Sequence, residues 1–153
     1  MVAESFSESQ LAYASWGSRV GAYLLDGLIL AIPYAVGITL AVIGDASEND
    51  GLLIVGGFLI AASFIAPFVY FAVMNGGERG QTYGKRAAGI RVRREDGHSS
   101  LGVGRGLARY AITFVFAFFF YIPMLLDYLW PLWDDRNQAL HDKVAGSVVV
   151  RAE

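Results

Sequence analysis

A chain of 153 residues can build one domain or one small helical bundle, and is too short for two independent cores. Apolar residues make up 55% and charged residues 17%, against about 45–50% and about 25% in soluble domains, which excludes disorder, collagen-like repeats and coiled coils. The absence of cysteine excludes a disulfide scaffold, thiol catalysis and cysteine-ligated metals, and a net charge of only −2 hides a strong asymmetry along the chain.

The N-terminus, MVAESFSESQ, is polar and slightly acidic, with no basic n-region and no cleavage-like site, so the first apolar run reads as a retained signal anchor. Three apolar runs follow. Residues 20–43 contain one charge, Asp26; residues 52–74 contain none; residues 110–133 contain one, Asp127. Each exceeds the roughly 20 helical residues needed to cross a bilayer core of about 30 Å. Core helices of a soluble bundle would show a polar face at the 3.6-residue period, and these runs are apolar nearly all round. The predicted fold is therefore an all-α integral membrane protein, a single membrane domain over residues 1–153 with three transmembrane helices.

Orientation follows from the bases. Eight of the 12 lie between Arg79 and Arg109, whereas the 44–51 connection carries Asp45, Glu48 and Asp50 and no base. The positive-inside rule places the N-terminus and the 75–109 segment in the cytoplasm, with 44–51 outside. The basic segment has no nucleic-acid fold signature, so its expected partner is the anionic headgroup surface of the cell membrane, at about 1 kcal/mol per base.

Arg19 opens the first helix and Asp26 lies inside it, seven residues on and nearly on one face, with Tyr23 between them. An acid within a membrane helix costs about 2.5–3.5 kcal/mol, so Asp26 needs a partner, a wet cavity or a function. Arg19 is a plausible direct partner, although its side chain leans toward the N-terminus. A packing anchor with no traffic through it is the plain alternative. Gly17, Gly21 and Gly27, and the pairs Gly57/Ala61 and Ala62/Ala66, have the small-residue spacing that permits close helix approach or self-association. Pro33, Pro67 and Pro123 each allow a kink. Asp127 is 18 residues beyond Arg109, about 27 Å along a straight helix. That distance places it near the opposite interface, among Tyr121, Tyr128, Trp130 and Trp133.

Residues 78–94, ERGQTYGKRAAGIRVRR, align without a gap on residues 135–151, DRNQALHDKVAGSVVVR, with six identities in 17. The match suggests an internal duplication. Each copy reads as a short helix, a glycine at its C′ position (Gly89, Gly146) and an extended piece. Asp96-Gly97 marks a turn after the first. Pairing of the two extended pieces requires both copies on one side of the membrane. A single crossing by 110–133 separates them; a re-entrant hairpin broken at Pro123 reunites them, with pieces of only about 18 Å each. Length favours the former and strand pairing the latter.

Arg19 with Asp26, then GQTYGKRAAGIRV, then LHDKVAGSVVV, resembles the RDD family of small bacterial membrane proteins, named for one arginine and two aspartates. Arg19 and Asp26 match the pair in the first helix, and Asp142 matches the second aspartate; AGS at 145–147 departs from the family's usual threonine. The resemblance implies transport of an unidentified ligand, including cation/proton exchange, with Arg19, Asp26 and Asp142 as the ion- or substrate-binding candidates. Tyr23, Lys85, Arg109 and Asp127 are secondary candidates. Three helices are few to enclose an alternating-access site, which points to a homo-oligomer or a larger membrane complex. A structural or regulatory subunit of such a complex is the alternative function. His98 and His141 lie on separate polar segments, so no metal site is expected. A cation on Asp134, Asp135 and Asp142 is weighed and set aside as a solvated acid cluster. No enzyme activity and no cofactor are expected.

Overall fold

The computed structural model describes residues 12–97 and 99–152. The N-terminal tail and His98 therefore lie outside the described residues. Ser15 caps the first helix, α1 (Trp16–Ala46), through its side chain, and Asn49 does the same for α2 (Asp50–Gly76). The two run as an antiparallel pair joined by a tight connection. Gly37, Gly44 and Gly56 lie where they meet: a Cβ on any of them would strike backbone of the facing helix or its cap. Gly17, Gly21, Gly27 and Gly57, expected to do this, have open space around them. Pro33 and Pro67 are accommodated inside continuous helices.

At 31 and 27 residues, α1 and α2 exceed the roughly 20 that a bilayer core requires. Only 11% and 6% of their most apolar stretches are buried within the chain. Side chains such as Leu28, Ile54 and Phe58 are largely exposed, so these are not core helices of a soluble domain.

A short helix, α3 (Tyr83–Ala87), capped by Thr82, leads into strand β1 (Ile90–Arg94). The third apolar run is not a single helix. It divides into α4 (Val103–Phe119) and α5 (Tyr121–Leu129), broken at Phe120, which is extended at φ −144°, ψ 96°. Pro123 explains the position of the break, because a proline excludes the carbonyl four residues earlier from the helix. That carbonyl belongs to Phe119, the last residue of α4. At about 25 Å and about 14 Å, neither piece matches a bilayer core of about 30 Å. The described residues thus contain two helices long and apolar enough to cross, not three, and the third run is broken at Phe120. A 3₁₀ turn (Trp130–Leu132) closes it.

The last elements are α6 (Leu140–Ala145) and strand β2 (Ser147–Arg151). β2 pairs antiparallel with β1, Ile90 facing Arg151 and Val92 facing Val149. The two sequence copies therefore lie together at one end of the molecule. Their geometry agrees with the alignment: Gly89 and Gly146 both stand at φ near +60° (63° and 61°), and Val92, opposite Val149, is also its counterpart in the alignment. Residues 12–14 add to the free edge of β2 through Ala14 N–H to Val149 O and Arg151 N–H to Ala12 O. Ala14, Ala22, Ile90, Val92, Leu101 and Val149 form a small core beneath the sheet.

Candidate functional site

The charged residues of the apolar runs converge where α1, α4 and α5 meet the two short helices. Asp26 is fully buried. Its Oδ1 accepts from Tyr70 Oη at 2.7 Å and Gly84 N at 2.8 Å, and its Oδ2 from Thr82 Oγ1 at 2.6 Å. Two of these donors belong to the first turn of α3 and its cap. GQTYGKR thus folds as a cradle for the carboxylate, and Gly84 is required because a Cβ there would collide with Ala22 O. Arg19, a plausible partner within the same helix, is elsewhere.

Arg19 reaches Asp142 instead. Arg19 Nη1 lies 2.6 Å from Oδ2 and Arg109 Nη2 lies 2.5 Å from Oδ1, with all three side chains buried. Ala139 N–H and Ser147 Oγ–H complete the shell at 3.0 and 3.2 Å. Asp142, the third residue of α6, bonds back to the N-cap amide of its own helix, half of a capping box. Burial alone would raise its carboxyl; Arg109 and Arg19 overcome that and hold it well below the usual carboxylate range.

Asp127 is not at the opposite interface. It is fully buried, accepting from His141 N at 2.8 Å and pairing with His141 Nδ1 at 2.6 Å. Arg109 also reaches His141, through Nε2 at 3.2 Å. Residues 18 apart in sequence thus meet one imidazole, because the chain turns back at Phe120. An arginine can only donate, so Nε2 accepts and Nδ1–H donates to Asp127. Tyr23 Oη lies 3.3 Å from the same Nε2.

Lys85 is buried in α3, its Nζ 5.3 Å from the Tyr23 ring centroid and 5.9 Å from that of Phe71. Burial pushes its ammonium down to about 7, Arg109 adds to the shift, and Asp26 and Asp142 oppose it. A cavity of ≈ 260 Å³ lies between α1, α2, α4 and α5, with Tyr23, Asn75, Arg109, Tyr110, Tyr128 and His141 on its wall.

All seven sequence candidates are thus neighbours in one buried cluster, with pairings that differ from expectation. Sequence reasoning missed His141, set aside as lying on a separate polar segment, the partners Tyr70 and Thr82, and Asn75 on the cavity wall. One signal was available for His141: it aligns with Gly84 in the repeat, and both present the second amide of a short helix to an aspartate. Asp134 lies apart from Asp142, pairing with Lys143 and accepting from the amides of Arg136 and Gln138. Among the described residues no three His, Asp or Glu side chains are placed to share a metal ion.

The sequence is 29% identical over 149 residues to an uncharacterized protein of Haemophilus influenzae, covering 97% of this chain and 85% of that one. No solved structure matches. The model of the RDD family matches residues 13–146, a span containing the arginine and all three buried aspartates of the cluster; the chain belongs to the RDD family.

Proposed function

We propose that this chain is a small proton-coupled membrane transporter whose ligand occupies the cavity between α1, α2, α4 and α5. The observation that carries the reading is the hydrogen-bonded line from Asp127 through His141 to Tyr23. It joins an otherwise sealed carboxylate to two side chains of the cavity wall. Such a line can move a proton as the ligand enters or leaves. The Arg19–Asp142–Arg109 bridge fixes the helices that carry it. Cation/proton exchange is the form that the family resemblance implies. In that form Asp26 must shed the hydroxyls of Tyr70 and Thr82 before taking a cation.

The excess of bases orients the sheet-bearing end toward the cytoplasm of a plasma-membrane protein. There Arg79, Arg86, Arg91 and Arg93 line a surface depression with Glu78 and meet anionic headgroups. Dye-loaded proteoliposomes test the transport reading. Imposed sodium, potassium or succinate gradients are expected to move protons in the wild type, and the His141→Gln variant to move few. Silence under all three gradients would reject it.

One observation favours the alternative, a structural or regulatory subunit of a membrane complex. Asp26 is saturated by donors from α2, α3 and the α3 cap, as a packing lock would be. Copurification of a defined partner in mild detergent, with normal assembly lost in Asp26→Asn, is what that reading requires.

A further inference from the structure

The cavity contains chemistry that the charged network leaves unused. Its wall includes one permanent charge, Arg109, and neither Asp nor Glu. Two buried atoms of wall residues lack any partner, Arg109 Nη1 and Asn75 Oδ1; the residues themselves are only 3% and 4% exposed. Buried polar groups are almost always satisfied, so two orphans on one wall mark the place of an absent partner. Lys85 adds a second basic group behind the Tyr23 and Phe71 rings, both of which face the same space.

The neighbouring acids do not offset this. Asp26 is occupied by Tyr70, Thr82 and Gly84, Asp127 by His141, and Asp142 by two arginines. Phe71, Tyr110 and Tyr128 give the remaining wall an aromatic character. The volume, ≈ 260 Å³, equals that of about nine waters at about 30 Å³ each, the size of a small aromatic acid.

We propose that this cavity binds an organic anion. Its carboxylate or equivalent acidic group rests on the free side of the Arg109 guanidinium and on Asn75, and its apolar body lies against Phe71, Tyr110 and Tyr128. An anion here requires the Asn75 carboxamide turned so that its Nδ2 donates in the place of the unpartnered Oδ1. The inference rests on the cavity being the ligand site, but it concerns binding and not flux.

Benzoate, benzamide and benzamidine share one shape and differ in charge, so they serve as probes. Binding of each to the full chain in phosphatidylcholine nanodiscs is measured calorimetrically. Benzoate is expected to bind at least about tenfold more tightly than the other two, the difference made by one hydrogen bond to a charged group. Arg109→Gln should abolish the preference, but it also removes one of the two cations that hold Asp142. Asn75→Leu and Lys85→Met leave that bridge intact and should each weaken benzoate about tenfold while the protein remains monodisperse. Absent benzoate binding, equal affinity for the three probes, or benzoate binding unchanged in both variants would each overturn the proposal. Repeating the titration with phosphatidylglycerol in the disc separates the sources. Competition identifies a lipid headgroup as the anion, and its absence identifies a soluble acid. Benzoate binding without proton flux would keep this inference and reject the transport reading; flux without charge-selective binding would do the reverse.

Discussion

Asp26 and Asp142 are both fully buried, and they differ in what holds their charge. Asp142 faces two guanidiniums, whereas Asp26 is held by two hydroxyls and one amide. Neutralising Asp142 leaves two buried cations uncompensated, so Asp142→Asn should cost about 3–5 kcal/mol. Asp26→Asn puts an amide among donors and should cost about 1–3 kcal/mol. Unfolding of both variants in one detergent checks the order, and the reverse order would mean that the bridge is not the stronger tie. Lys85 yields a pH prediction. Its folded value of about 7 lies below the ordinary 10.5, so the unfolded chain holds the proton between these limits and the folded chain does not. Stability contributed by this group is lowest and flat below about 7, and rises as pH climbs from about 7 toward 10.5. Arg109 and Arg19 deepen the shift, and Asp26 and Asp142 moderate it. The melting temperature of the wild type should rise relative to that of Lys85→Met over that window; a constant difference would show that the amine stays charged.

At the level of elements, α3 and α6 are too short to persist alone, and each is anchored by an aspartate from a longer helix. Gly84 makes this visible. An alanine there would push into Ala22 O and the Asp26 carboxyl, so Gly84→Ala should destabilise by about 1–3 kcal/mol. Gly57→Ala, in open space within α2, should instead add up to about 1 kcal/mol. Thermal unfolding of the two variants reads the contrast directly, and equal effects would refute the cradle. The contrast also shows what the sequence could reveal. The two long helices, the glycine-ended short helices and both strands are written in local patterns of hydropathy, caps and β-branching. Small-residue spacing pointed to Gly17, Gly21 and Gly57, whereas the close approaches between α1 and α2 are at Gly37, Gly44 and Gly56, because which helix face meets a neighbour is set by tertiary packing. The same limit applies to the pairings. A helical-wheel argument relates Arg19 to Asp26 within one helix, but it cannot foresee Asp142, 123 residues away, or Thr82 in a loop cap.

For the whole molecule the deciding feature is the turn at Phe120. Had α4 and α5 been one straight helix, Asp127 would stand about 27 Å from Arg109 and the two motif copies would lie on opposite faces. Instead Arg109 and Asp127 share His141, and β1 pairs with β2. If only α1 and α2 cross, the sheet-bearing end lies on the side where Trp16 begins, and that arrangement can be tested. These 153 residues contain no cysteine, so single cysteines introduced into them report sidedness without background. Ser100→Cys and Asp135→Cys lie on exposed positions flanking the third apolar run, and Glu48→Cys lies on the exposed α1–α2 connection. With the sheet end inward, as proposed from the excess of bases, an impermeant maleimide should label Glu48→Cys alone in intact cells. In inverted vesicles it should label Ser100→Cys and Asp135→Cys together and spare Glu48→Cys. Labelling of Ser100→Cys and Asp135→Cys from opposite sides would require 110–133 to cross the membrane, which would pull Asp127 from His141 and dismantle the cluster. The sidedness of Asp135 therefore tests the site as directly as any substitution within it.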